Sequence, residues 1–252
     1  ALPLVVAAWG WRAAFVFTGL ASFGWLVVWL LATRAPPQLA AAPRHVPKRQ
    51  PLSKLARTPA LWAYAIAKFL IDPIWWLYLF WLPDYLSKAH GVQLTSVGWP
   101  LFAIFLAADG GNLFGGWLSS ALVRRGVPVG LSRKAALLLF AVLPVPITLL
   151  SGVHSLWLAV TILGLATAAH QGFSVNLFTI PSDLFPKGSV GTVIGIGGTF
   201  GAVGGMLMSQ IVGYTLQQTG SYTVIFVVAA LMYSTALWVI HLSTTKYELA
   251  TD

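Results

Sequence analysis

The chain alternates between long apolar runs and short connections that carry most of its charge. A helix of about 20 apolar residues crosses the hydrocarbon of a bilayer. Seven runs reach that length, near residues 9–32, 59–87, 97–123, 133–152, 155–182, 188–217 and 221–243. The pattern therefore predicts an all-α membrane protein with about seven transmembrane helices.

Residues 33–58 interrupt this pattern, because they are rich in Pro, Ala and Arg and have no hydrophobic period. Such composition is typical of a linker, here with a short surface helix near 51–57. The first eight residues read as the tail of a preceding helix. The predicted organisation is one transmembrane helix over 1–32, a basic cytoplasmic linker over 33–58, a six-helix bundle over 59–245 and a cytoplasmic tail over 246–252.

Composition agrees with a membrane protein. Hydrophobic residues make up 58% of the chain and charged residues 8%, against about 25% charged in soluble domains. The mean hydropathy is +0.80. The formal charge of +9 lies in short loops, which indicates topology signals rather than nucleic-acid binding. The absence of cysteine excludes disulfides and thiolate metal sites.

The positive charges also predict an orientation. Twelve Lys and Arg residues fall on one side of the predicted spans, against Arg12 and Lys88 on the other. The positive-inside rule then places the linker and the C-terminus in the cytoplasm and the N-terminus of this chain outside. We expect a multi-pass protein of the cell inner (plasma) membrane. An odd number of spans also predicts that an N-terminal half of the same protein is missing from this chain.

Residues 68–83, within the second run, carry two charges well inside the span. Lys68 and Asp72 are four residues apart, so on a helix they share a face and can pair. A charge near the bilayer centre costs at least a few kcal/mol, so such side chains are buried, paired or directed into a wet cavity. Trp75 and Trp76 extend this face toward the outer end of the helix. A charged, aromatic-rich face of this kind suits a polar solute that carries a carboxylate or hydroxyls.

Polar side chains also lie inside two other runs. Asp109 and Asn112 share a face with Gly116. Asp109 is either a partner for Lys68, a packing site, or a group for proton or cation coupling. In the fifth run one stripe is predicted to face a cavity and the opposite one to pack helices. The first stripe holds His170, Gln171 and Ser174, and the second Asn176, Thr179 and Asp183.

Glycines stud the sixth run. Gly197, Gly201 and Gly205 are spaced four apart and fall on one face, which lets a neighbouring helix approach closely. The alternative interpretation adds to this packing a smooth surface along which helices slide. His170 has a similar pair of interpretations, as a hydrogen-bonded core residue or as a proton relay.

Several motifs resemble the major facilitator superfamily. A basic turn resembles, in degenerate form, the loop motif that these transporters repeat in each half; it comprises Gly116, Arg124, Arg125, Gly126, Arg133 and Lys134. The acidic residue of that motif is missing, with Ser119 and Ser120 in its region. The strings 68–86 and 169–187, with 10–15 and 190–198, are similar to hexuronate transporters of the anion:cation symporter family.

The resemblance implies a major-facilitator-type bundle, in which this chain holds the last helix of the first half and all six helices of the second. It implies proton-coupled import of a carboxylated sugar (a hexuronate) by alternating access, with substrate bound between the halves. The expected partners are the sugar acid, protons and the lipid bilayer. Substrate-binding candidates are Lys68, Asp72, Trp75, Tyr78, Asn112, Gln171 and Ser174, and candidates for coupling or gating are Asp109 and His170.

Three alternatives remain open. The same fold could carry an aldonate or another organic anion. A seven-span receptor of the retinal type needs a lysine deep in its last span, and residues 221–243 contain none. An enzyme is disfavoured because the chain has no H-E-x-x-H metal pair, and no cofactor or metal is expected.

Overall fold

The structure is a computed structural model that describes residues 2–33, 50–93 and 96–244. Contacts divide the chain into two compact units, residues 1–46 and 47–252. The predicted tail at 246–252 and most of the predicted linker lie outside the described residues.

The described residues of the first unit form the helix α1 (Leu2–Ala32). Gly10 interrupts it with a φ of +79°, a left-handed conformation that glycine adopts without steric cost. The part from Ala8 to Ala32 is long and apolar enough to cross a membrane. That the residues before Gly10 end a preceding helix stays a prediction.

The described residues of the second unit form helices joined by short turns, without strands. Its helices are α2 (Leu52–Leu55), α3 (Pro59–His90), α4 (Gly98–Arg124), α5 (Val129–Val142), a 3-10 segment (Val145–Gly152), α6 (Leu156–Leu184), α7 (Lys187–Thr219) and α8 (Thr223–Ser243). Together with α1, seven spans of the described residues have the length and composition to cross a membrane. The seven predicted spans are confirmed, each end within four residues.

The short helix α2 packs with the second unit. Leu55 is 1% exposed and belongs to its core, and the backbone N–H of Gln50 donates to Ser189 Oγ at 3.0 Å. The end of the predicted linker is therefore held against the helical bundle.

Helix α3 packs against α6, α7 and α8. It begins at Pro59 and ends at His90. Gly91 follows with a left-handed φ of +66°, the usual glycine C-cap. Pro73 lies in its interior and lacks the N–H that would bond the carbonyl of Phe69. That carbonyl lies against Gly204 of α7.

Glycines of α7 make this close approach possible. A Cβ added at Gly197 would overlap the ring of Tyr64, and one added at Gly201 would overlap the carboxylate of Asp72. At Gly205 a Cβ would overlap Trp76. The predicted glycine face is confirmed as a packing surface, while sliding along it stays a prediction.

Helices α4 and α6 form a second close pair. Gly111 lies against the backbone of Ala168, and Gly115 against that of Gly172. Asn176 reinforces the contact because its amide nitrogen donates to the carbonyl of Gly115 at 3.0 Å. Asn176 therefore lies on the helix-packing stripe, as predicted.

We predict that alanine at Gly204 destabilises the bundle, whereas alanine at Gly198 does not. A Cβ at Gly204 meets the fixed backbone carbonyl of Phe69, but one at Gly198 meets open space. Overpacking of this kind costs about 1–3 kcal/mol, while glycine to alanine in an open helical position stabilises by up to about 1 kcal/mol.

The measurement is the apparent melting temperature of each purified variant in detergent. Gly204→Ala should melt below the unaltered protein and Gly198→Ala at or above it. Equal melting temperatures for the two variants would contradict the packing described here.

Candidate functional site

An ion pair lies inside the third helix of the described chain. Lys68 Nζ is 2.7 Å from Asp72 Oδ1, one helical turn away, which confirms the predicted pairing. The Lys68 side chain is 4% exposed and that of Asp72 22% exposed. Asp72 therefore shields the positive charge of Lys68, and its carboxylate is the more accessible of the two groups.

Neighbouring helices close around this pair. The ammonium group of Lys68 lies 3.9 Å from the ring centroid of Phe178 on α6, a cation–π contact. Gly201 of α7 leaves room for the Asp72 carboxylate. Three helices thus converge on two charges that would be costly to bury alone.

An aromatic cluster adjoins the ion pair along α3. The ring of Trp75 stacks on His170 of α6 with centroids 5.3 Å apart, and its edge meets Phe105 of α4. Tyr78 packs edge-on against His170 and is fully buried. The structure thus places Tyr78 in the core between helices.

His170 is also enclosed. It is 2% exposed, and its Nδ1 forms a 3.0 Å hydrogen bond with the hydroxyl of Tyr233 on α8. Stacking and hydrogen bonding together hold the ring in one orientation. These contacts account for His170 as a core residue, and its role as a relay stays a prediction.

The contacts between α3 and α6 determine where Gln171 and Ser174 lie along α3. Lys68 meets Phe178 and Trp75 meets His170, so the helices run antiparallel. This register places Ser174 level with Asp72, and Gln171 level with Trp75. Both side chains are partly exposed. The structure therefore brings six of the seven substrate-binding candidates to one stretch of α3 and α6.

The remaining candidates lie on α4. Asp109 and Asn112 are both exposed and lie on the face of the helix that holds Gly116, as the spacing predicted. The nearest link to the cluster is Phe105, one turn before Asp109, which contacts Trp75. Lys68 pairs with Asp72 rather than with Asp109. Two interpretations of Asp109 are left, a packing site and a group for proton or cation coupling.

A second polar cluster lies at the end of the bundle where α4 meets α5. Arg133 Nε is 3.0 Å from Asp183 Oδ2 at the end of α6, and its Nη1 donates to Ser119 Oγ at 2.8 Å. The loop motif lacks its own acidic residue, yet α6 supplies one. Sequence reasoning missed this pair because its members are fifty positions apart, although Asp183 was predicted to face a neighbouring helix.

At the opposite end, Asp84 pairs with Lys88 at 3.0 Å and accepts a hydrogen bond from Tyr222. Burial, with the hydrogen bond to Asp84, raises the pKa of the Tyr222 hydroxyl above its usual value. Among the described residues no cluster of His, Asp or Glu has the arrangement of a metal site.

Seven spans among the described residues, with a buried ion pair in one of them, are typical of a multi-pass membrane protein. The sequence profile of the Major Facilitator Superfamily matches residues 1–209. The chain belongs to this superfamily, whose members are transporters and not enzymes.

The names of similar proteins describe transporters of different organic anions. The chain is 27% identical over 273 residues to a hexuronate transporter of Escherichia coli K12, covering 99% of this chain and 63% of the relative. It is 26% identical to a D-galactonate transporter of E. coli O6:H1, covering 83% and 54%. A voltage-gated purine nucleotide uniporter of Homo sapiens is 28% identical, covering 91% and 54%. The chain spans between half and two thirds of the length of these relatives.

A solved structure supports the fold. A bacterial homologue of the human lysosomal transporter Spinster, in an inward-facing and occupied conformation, matches with a TM-score of 0.54 and 17% identity. The match covers 94% of this chain and 57% of that one. It confirms the predicted class of fold.

We predict that Lys68→Gln destabilises the protein far more than Lys88→Gln. Each lysine lies on α3 and pairs with a carboxylate four residues away, but the Lys68 side chain is 4% exposed and that of Lys88 64%. Removing one partner of a buried pair costs about 3–5 kcal/mol, and an exposed pair contributes under about 1 kcal/mol.

The measurement is again the apparent melting temperature in detergent. The double variant Lys68→Gln with Asp72→Asn should recover part of the loss, since no unpaired charge remains. If Lys68→Gln and Lys88→Gln had the same melting temperature, the buried pair would contribute no more to stability than the exposed pair.

Proposed function

We propose that the protein of which this chain is part imports a carboxylated sugar, a hexuronate, by alternating access coupled to protons. The observation that carries the proposal is the Lys68–Asp72 pair, held inside a membrane-spanning helix with a partly exposed carboxylate. Charged residues at this depth mark the pathways of polar solutes. The family and the names of the relatives support an organic anion as that solute.

The proposed substrate contacts follow the geometry of α3, α4 and α6. Gln171, Ser174 and Asn112 are exposed or partly exposed and would bond hydroxyl groups of the sugar. Trp75 offers part of a ring face, and Lys68 contributes positive potential that Asp72 partly offsets. Tyr78, being buried, would act by holding His170.

The proposed coupling group is Asp109, an exposed carboxylate on a membrane-spanning helix. His170 is the second candidate, although its contacts are those of a core residue. We propose that the end of the bundle with Arg133 faces the cytoplasm, because it carries most of the positive charge, and that the membrane is the inner (plasma) membrane.

The proposal is tested by uptake of labelled glucuronate and galacturonate into right-side-out vesicles that contain the full-length protein. Asn112→Ala and Gln171→Ala should each raise the KM about tenfold, the effect of one lost hydrogen bond to substrate. Gln218→Ala is the matched control, since Gln218 is an exposed amide at the end of α7. An unchanged KM in the Asn112 and Gln171 double variant would overturn the site.

Coupling and substrate class have separate readouts. A protonophore should abolish accumulation, and Asp109→Asn should abolish accumulation while it preserves exchange of labelled for unlabelled substrate. Accumulation that persists with the protonophore would overturn proton coupling, and one of the relatives is a uniporter by name. Stronger competition by galactonate than by glucuronate would favour the aldonate alternative.

A further inference from the structure

A groove opens on the outer surface of the bundle between α5 and α8. Its volume is about 500 Å³, and its walls are almost entirely apolar, including Leu138, Val142 and Trp238. Trp238 is 63% exposed and Leu138 55% exposed. Exposed apolar side chains in the middle of spanning helices face lipid tails. We call this cavity the α5–α8 groove.

Two basic side chains stand at one end of the α5–α8 groove. They are Lys134, near the start of α5, and His241, near the end of α8. Lys134 Nζ donates to the carbonyl of Thr244 at 2.7 Å, and an ammonium group has three N–H donors. Arg124 and Arg125, both exposed, lie at the same end of the bundle. The groove is thus apolar along its length and basic at its mouth.

The depth of the groove corresponds to one leaflet. From Lys134 to Val142 the helix advances about 12 Å at about 1.5 Å per residue, and half of a bilayer's hydrocarbon is about 15 Å. The α-helical wall ends at Val142, where Pro144 begins the turn into the 3-10 segment. The basic end therefore lies at headgroup level when the end at Val142 lies near the middle of the bilayer.

We propose that the α5–α8 groove binds an anionic phospholipid. One acyl chain lies against Trp238 and Leu138, and the phosphate is held by Lys134 and His241. Basic pockets between spanning helices on the cytoplasmic side bind anionic headgroups in this way. Charge complementarity favours a lipid over a second copy of the chain, because a two-fold contact would bring the same positive groups together.

The test uses fluorescence quenching of Trp238 in the full-length protein, reconstituted in vesicles of phosphatidylcholine. The signal of the unaltered protein minus that of Trp238→Phe isolates this ring among the twelve tryptophans of the chain. Phosphatidylglycerol or phosphatidylcholine with brominated acyl chains is then titrated in. Brominated phosphatidylglycerol should quench Trp238 at about fivefold lower mole fraction, the effect of about one lysine near a phosphate.

Three variants locate the effect in the groove. Lys134→Gln should remove most of the fivefold preference, and His241→Gln gives a second reading if Lys134→Gln fails to fold. Ala135→Phe fills the groove with its charges intact and should reduce quenching by brominated phosphatidylglycerol. Arg125→Gln, which removes an exposed charge at the same end but outside the groove, should leave the preference unchanged.

Each contrary result overturns the proposal. Equal quenching by the two lipids would show that the groove does not select a headgroup. An equal loss in Arg125→Gln and Lys134→Gln would assign the preference to general surface potential. No quenching by either lipid, with dimers in solution, would assign the groove to a second copy of the chain.

Discussion

Close contact between the backbones of α3 and α7 is the constraint on which the site depends. Between membrane helices the lipid tails are as apolar as the side chains, so association relies on close packing and polar contacts. Gly204 meets the carbonyl of Phe69, which Pro73 cannot bond because it has no N–H, and Gly201 leaves space for Asp72. A larger residue at either position would push α7 away and open the ion pair to lipid.

The second close pair, α4 with α6, positions the other half of the site. Gly115 and Asn176 fix the height of α6, and this height aligns His170 with Trp75. The polar side chains on the exposed faces of α4 and α6 are therefore not needed for contact between these two helices. In this way glycine determines where the polar candidates lie, although glycine itself contacts no solute.

The features that sequence alone predicted depend on composition or on short spacing. Spans follow from apolar length, and the Lys68–Asp72 pair from a separation of one turn. The role of Gly204 escaped prediction because it arises from a carbonyl that Pro73 frees on another helix. Arg133 and Asp183 are equally remote in sequence, and the burial of Tyr78 is set by α6 and α8. What could not be predicted was which helix each face meets.

The placement of both charges on α3 has a consequence for biosynthesis. A lysine or an aspartate at the middle of a span raises the free energy of inserting a nascent helix by about 3 kcal/mol. Because Lys68 and Asp72 are one turn apart on the same helix, their attraction is available as soon as that helix forms, before α6 or α7 has been translated. The nascent segment therefore enters the bilayer with its own counterion, and its partition from the translocon does not have to wait for later helices.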